Sequence, residues 1–155
     1  MAKKIKKETE LSVLREIRDY LKGGGVSISN PTNVRFIRNS DGSFTDKQLS
    51  IIWAKEDFPE KMSFIGAQEA CKALGKGWRV ASDKEMESLI DRSKYNPAII
   101  SDAQILGLKT DDWYWTNVPY AGSSDSAWIV GFRYGSMSCD VKGSNNYVWP
   151  VRASQ

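Results

Sequence analysis

Histidine is absent from all 155 residues. Imidazole is the side chain that ordinarily serves as a general base near neutral pH. The chain therefore holds no Ser-His-Asp triad, no Cys-His dyad and no HExxH zinc site. Cysteine is scarce: Cys71 and Cys139 stand alone and far apart. Their spacing is not that of a metal site. One long-loop disulfide is open to them, but two buried reduced thiols fit better a chain made without a secretory leader. No P-loop and no GxGxxG occurs. No run of about 18 apolar residues occurs either, so no membrane span is expected. Glu8 and Glu10 stand where the apolar part of a secretory leader would begin, so no leader is expected.

Aromatic side chains are plentiful: six Trp, six Tyr and five Phe. They point to a loop-rich fold with a few large anchors, or to an aromatic binding surface. The length, with 41% hydrophobic and 26% charged residues, fits one domain plus an appendage. The net charge of +3 resides in residues 1–22, which carry seven basic and four acidic side chains. The remainder is neutral and has no charge footprint for nucleic acid.

The chain divides into three zones. Residues 1–25 are expected to hold an N-terminal helix, over 3–22, and a Gly hinge. Val13, Leu14, Ile17, Tyr20 and Leu21 form an apolar stripe at helical spacing, and Gly23, Gly24 and Gly25 end it. Twenty helical residues span about 30 Å and are marginal alone in water, so the stripe needs a partner. Leu14, Ile17 and Leu21 have the spacing of a short coiled-coil seam. They are the expected anchor or oligomer contacts; the partner of the stripe is either the chain's own domain or, in the favoured reading, a homo-oligomer, taken as a trimer, or a larger assembly. Residues 26–33 read as a polar linker, and residues 34–155 as one α+β domain.

Within that domain, Val34 to Arg38 alternates as a strand, and Asp41-Gly42 is a turn signal. Leu49 to Ala54 reads as a buried strand. Ser63 is placed to cap a helix running to about Leu74, ended by Gly75 and Gly77. Ser82 and Glu85 form an S-x-x-E capping box for a second helix from Asp83 to about Arg92, with Met86, Leu89 and Ile90 inward. Ser101 and Gln104 could cap a further short helix. Strands follow at Asp112–Thr116, Ala127–Arg133, Met137–Val141 and Tyr147–Arg152. The second of these is apolar on both faces and hence central. Pro150 places the last strand at an edge or a bulge.

The motifs that carry a resemblance come in a fixed order. DGSFTDKQLSIIWA (41–54) is followed by AQEACKALGKGWRVASDKEMESLID (67–91), WYWTNVP (113–119), AWIVGFRYG (127–135) and YVWPVR (147–152). Together they resemble the C-terminal domain family of the Legionella collagen-like adhesin, and through it the C-type-lectin-like fold. The resemblance covers about residues 34–152. The Thr-Gly of the family's opening is Leu49-Ser50 here, Leu-Pro-Thr is Val80-Ala81-Ser82, and the closing Cys is Pro150. The resemblance implies that a helix cysteine near Cys71 would bond to that closing position. Pro150 forbids this, so no disulfide is expected. It also implies that Trp53, Trp78, Trp115 and Trp128 are core, and leaves Trp113, Tyr114 and Trp149 as candidate sugar-stacking platforms.

Lectins of this fold hold sugar through calcium, which wants six to eight oxygens. Here Asn96-Pro97 lacks a neighbouring acid, and Trp128 is followed by Ile129-Val130 instead of Asn-Asp. Asp111, Asp112 and Asp125 could gather in one loop region, but no metal site and no cofactor are expected. Catalysis is not expected either, because no cation stands beside Cys71 or Cys139 to lower its pKa. The candidate surface is the loop set 117–126 plus 134–146, with Asn117, Tyr120, Asp125, Tyr134, Ser136, Asn145 and Asn146 as contact residues. It has the Tyr, Ser, Gly and Asn composition that suits adaptable binding. The chain is thus expected to be a non-enzymatic attachment module that contacts a host-surface glycan or protein. The expected setting is a phage virion surface, as fibre or capsid decoration, after synthesis in the cytoplasm. The alternatives are a purely structural virion component docked through the N-terminal helix, and a bacterial adhesin domain.

Overall fold

A computed structural model describes residues 34–155, which form one compact unit. The expected N-terminal helix, the linker, and Leu14, Ile17 and Leu21 lie outside the described residues.

Three short strands open the unit: β1 (Phe36–Arg38), β2 (Phe44–Asp46) and β3 (Ile51–Trp53). Helix α1 (Phe64–Ala73), the two-residue strand β4 (Arg79–Val80) and helix α2 (Asp83–Glu87) follow. A 3-10 helix (Ser101–Leu106) leads into β5 (Trp113–Pro119), β6 (Ser126–Gly131), β7 (Ser136–Val141) and β8 (Pro150–Ala153). The strands make two antiparallel sheets, ordered β1-β2-β3-β8-β4 and β5-β6-β7. The fold class is α+β, as expected.

Local chemistry sets both helix starts. The Ser63 hydroxyl accepts from the Gly66 amide at 3.2 Å. At α2 the full capping box forms: the Glu85 amide donates to Ser82 Oγ at 3.2 Å, and the Ser82 amide donates to Glu85 Oε2 at 2.7 Å. Helix α2 nevertheless stops at Glu87, short of Arg92. The chain beyond it turns to pair with 98–100. The Ile100 amide donates to Leu89 O at 2.9 Å, and Ile90 bridges Ile99. Met86 and Leu89 are buried as expected, while Ile90 is half-buried. Ser101 does not cap the 3-10 helix; its hydroxyl accepts from Lys94 Nζ instead.

Pro150 sits neither at an edge nor in a bulge. Strand β8 lies between β3 and β4, and Pro150 opens it, opposite Val80. At the first position of a strand a missing N–H is tolerated. Its carbonyl is still used, accepting from the Ala54 amide at 2.9 Å.

Alternation along β5 and β6 feeds two cores. Tyr114 and Val130 face a cluster with Phe36, Trp53, Leu89 and Trp149, while Trp115 and Ile129 face one with Phe64, Ala67 and Cys71. This is why β6 is apolar on both faces. Its central position, between β5 and β7, is as read from the sequence. Trp53 and Trp115 are buried, whereas Trp78 and Trp128 are only half-buried. Tyr114 and Trp149 are buried, which removes both as stacking platforms.

The Tyr114 hydroxyl ties the two sheets' loops together. It donates to Asp57 Oδ2 at 2.8 Å and accepts from the Lys109 amide at 2.8 Å. Burial, reinforced by the Asp57 charge, raises its pKa, so it stays protonated. Tyr114→Phe leaves the Lys109 amide and a largely buried carboxylate short of a partner. It is expected to cost about 1–3 kcal/mol. The check is a lowered urea midpoint at unchanged m-value.

Candidate functional site

The β-sheet geometry separates the loop set that the sequence groups together. Strand β6 pairs Ser126 with Val141 at one end and Gly131 with Ser136 at the other. The 120–125 and 142–146 turns therefore share one end of the sheet, and the 132–135 turn lies at the opposite end. Six residues of strand put about 17–20 Å between them.

At the first end, Tyr120 packs edge-on against Trp128, with ring centroids 5.2 Å apart. Asp125 is exposed, and its carbonyl accepts from the Lys142 amide at 2.7 Å. Asn145 is exposed. Asn146 is buried and structural: its side-chain amide donates to Asp140 Oδ2 at 3.0 Å and its backbone bridges Met62. Asn117 belongs to neither end. Its amide donates to Ala81 O, and its side chain lines a separate cavity of about 260 Å³ with Gln68, Lys72 and Arg79.

The opposite end holds Tyr134 and Ser136 together with residues that sequence reasoning did not group with them. Tyr134 stacks on Tyr95, with centroids 5.3 Å apart and planes at 23°. Both rings are solvent-exposed, Tyr95 at 75% and Tyr134 at 53%. The Arg133 guanidinium lies over the Tyr134 ring, 5.2 Å from its centroid, and its Nε is 3.8 Å from Asp111. Beside this row is a cleft of about 190 Å³ lined by Asp111, Asp112, Trp113, Gly131, Arg133, Tyr134 and Ser136. Gly131 is part of this lining, and a Cβ there would meet the Trp113 ring at 3.1 Å.

Two backbone bonds fix this arrangement. The Asn96 amide donates to Arg133 O, and the Ala98 amide to Phe132 O, both at 2.9 Å. They dock the 95–98 loop against the turn and set Tyr95 beside Tyr134. The turn itself needs Gly135, whose φ is +64° and which packs against Ile90 and Ala98. The sequence signal for Tyr95 is its place beside Asn96-Pro97, a dipeptide that lacks the neighbouring acid of a calcium loop.

The three acids raised as calcium ligands do not converge. Asp125 is at the far end of the sheet from Asp111 and Asp112. Asp112 is committed to Lys61, at 2.6 Å. Of the cysteines, Cys71 is buried among apolar side chains, and burial pushes its thiol up to about 12. Cys139 is exposed on β7, contrary to the expectation of two buried thiols.

A larger cavity, about 580 Å³, is lined by Ala54 to Pro59, Leu74, Lys109 and Pro150. Its inner polar groups are spent on one another: Asp57 accepts from Lys109 Nζ and from Tyr114. The Lys109 ammonium also lies 4.4 Å from the centroid of the Tyr147 ring. The cleft at Arg133 differs in keeping exposed donors and acceptors beside aromatic rings.

These strands and turns carry the motif order of a known family. The chain belongs to the Lcl C-terminal domain family, whose model matches residues 42–152. No curated protein matches it. Among solved structures, a chain from the complex of a mutant von Willebrand factor A1 domain with botrocetin is similar at a TM-score of 0.43 and 11% identity. The match covers 77% of this chain and 96% of that chain.

Proposed function

We propose that the chain is a non-catalytic attachment module with a C-type-lectin-like head, whose contact surface is the Tyr95–Tyr134 end of the three-stranded sheet. The observation that carries this is the pair of exposed, mutually stacked tyrosines next to Arg133 and Asp111. Tyrosine and arginine are the residues on which contact energy concentrates. Membership of a family resembling an adhesin's C-terminal domain favours attachment over a purely structural role, and a bacterial adhesin setting over a virion. The phage placement expected from the sequence has no support in the fold or the family.

The lectin-like reading is supported by the arrangement of elements. The closing strand β8 pairs with β3 near the start of the unit, two helices lie between, and a second sheet with polar turns forms from the later half. The non-catalytic reading is supported by the buried, proton-holding Cys71 and the separation of Asp125 from Asp111 and Asp112.

Immobilised full-length chain is expected to retain whole cells or glycans from a panel. The Tyr95→Ala/Tyr134→Ala variant, with unchanged circular dichroism, should retain about tenfold less or lower still. Equal retention by that variant would move the contact surface elsewhere. No retention by the parent chain would reject attachment.

A further inference from the structure

Among the outer strands of the two sheets, β7 is the least protected. Strand β1 has three residues and ends in Arg38, and β4 has two residues. The outer edge of β5 is bonded: the Trp115 amide donates to Tyr147 O and the Tyr147 amide to Trp113 O, both at 2.9 Å. Strand β7 runs for six residues in unbroken register with β6. It carries no Lys, no Pro and no bulge, the devices that ordinarily blunt an edge. Its Cys139 and Val141 side chains are exposed.

The ladder shows which backbone groups face outward. The Lys142 amide donates to Asp125 O at 2.7 Å, one step beyond the Ser126–Val141 pair. Bonded and non-bonded pairs alternate in an antiparallel ladder. Ser136, Ser138 and Asp140 therefore spend their backbone groups on β6, while Met137, Cys139 and Val141 turn theirs away from it. Val141 is satisfied locally. Its amide donates to Asp140 Oδ1 and its carbonyl accepts from the Ser144 amide, both at 2.8 Å. The amides and carbonyls of Met137 and Cys139 have no partner among the described residues.

We propose that β7 is the contact strand of a two-fold homodimer, in which the β7 of a second copy adds antiparallel to this edge with Ser138 on the axis. In that register Met137 of each copy faces Cys139 of the other, and each pair exchanges both backbone bonds. Every unspent group of both strands is then used. A shift of two residues sets Met137 or Cys139 opposite itself and loses half of these bonds. The pattern is self-complementary, as a two-fold contact requires. A longer foreign strand would overrun the edge at Val141, whereas a second β7 stops at the same residue. Charge agrees: Asp140 faces Ser136 of the second copy, so the two aspartates are not set opposite each other. The exposed Cys139 side chain is covered by Met137 of the second copy. The pairing is independent of the attachment reading.

The test is disulfide trapping in the full chain. Directly opposite residues of a non-bonded pair have Cα atoms about 4.5 Å apart, within disulfide reach. The two Cys139 residues would be diagonal, about 7–8 Å apart and out of reach. Ser138→Cys/Cys139→Ser is oxidised with copper phenanthroline and read on a non-reducing denaturing gel. It should form a covalent dimer at least about tenfold faster than the parent, whose other thiol, Cys71, is buried. It should also outpace Asn145→Cys/Cys139→Ser, which places the thiol on an exposed turn, by at least about tenfold. Ser138→Cys/Cys139→Pro removes an outward amide and leaves the bonds to β6 in place; it should be trapped at least about tenfold more slowly than Ser138→Cys/Cys139→Ser.

Equal trapping through positions 138 and 145 would make the dimers chance collisions and overturn the pairing. Faster trapping through Cys139 would overturn the register. Undiminished trapping of the proline variant, with unchanged circular dichroism, would overturn backbone pairing at this edge. If the proline variant does not fold, the comparison of positions 138, 139 and 145 decides.

Discussion

Asp46→Asn is expected to destabilise the domain by about 3–5 kcal/mol, lowering the melting temperature by about 10–20 °C. Asp46 is fully buried on β2. Its carboxylate accepts from Arg35 Nε at 3.0 Å and Arg35 NH2 at 2.7 Å, and from the Trp53 indole at 3.2 Å. It also accepts from the backbone amides of Gln48 and Leu49. Arg35 in turn donates to Ser88 O at 2.9 Å and Ser88 Oγ at 2.7 Å, at the end of α2. One carboxylate thus ties β1, β2, β3 and α2 into a single unit. Removing its charge strands a guanidinium that is itself only 8% exposed, and a buried charge without its partner is costly.

The same group gives a pH signature. Burial works against the ionised form of Asp46, but the Arg35 and Trp53 hydrogen bonds and the Arg35 charge outweigh it, so its pKa is lowered. A carboxyl with a depressed folded value contributes stability that is fully present above its unfolded value, near 4. That contribution is lost as pH falls through the folded value. The gap in stability between parent and Asp46→Asn should therefore be constant from neutral pH down to about 5 and shrink below about 4. Chemical denaturation at a series of pH values measures it. A gap that does not change with acid would remove Asp46 as the ionised centre of the network.

Gly135→Ala is expected to cost about 2–4 kcal/mol and to disturb the tyrosine end of the sheet. Two effects add. Gly135 has φ of +64°, which costs an L-residue about 1–2 kcal/mol. Its new Cβ would also stand 2.7 Å from Ile90 Cγ2 and 3.2 Å from Ala98 Cβ. A double-mutant cycle separates the two. Ile90→Ala removes the clashing methyl but not the backbone strain. The double variant should therefore be more stable than the sum of the single changes predicts, by about 1 kcal/mol. Strict additivity would show that the turn yields without pressing on Ile90. Because the turn carries Arg133 and Tyr134, Gly135→Ala should also weaken any ligand held at that end.

The Asp46 effect lies where the sequence was least readable. Strand β2 was not read from sequence because it is three residues long and its inward position 46 is an aspartate, which breaks the apolar alternation a buried strand ordinarily shows. The Arg35–Asp46 pair looks like two surface charges until β1 is laid beside β2. Features that depend on neighbours in the chain were legible. Ser63 and the Ser82/Glu85 box start their helices where the spacing places them, since a cap is completed within three residues. The doubly apolar β6 lies in the middle of its sheet. Features that depend on how far the chain runs before it meets another segment were not. Helix α2 ends at Glu87 because residues 98–100 compete for its next carbonyls and amides. Pro150 sits inside a sheet because it is first in its strand.

The candidate site shows the same division. Tyr134 and Ser136 were chosen for their type, and they do lie together. Grouping them with Tyr120, Asp125 and Asn145 fails because those residues are close in sequence but are held a strand's length away by β6. Tyr95 joins Tyr134 only through the backbone bonds of Asn96 and Ala98 to the turn, and Asp111 joins them because β5 pairs Trp113 with Gly131.

By itself the sequence determined the α+β class, the helix starts, the family motifs and the absence of imidazole chemistry, because each is a matter of residue type or of spacing within a few positions. Only the tertiary structure decided which loops share a surface, which acids stay apart and which aspartate is buried. Those outcomes depend on strand order and register, which bring distant residues together and drive neighbouring turns to opposite ends of a sheet.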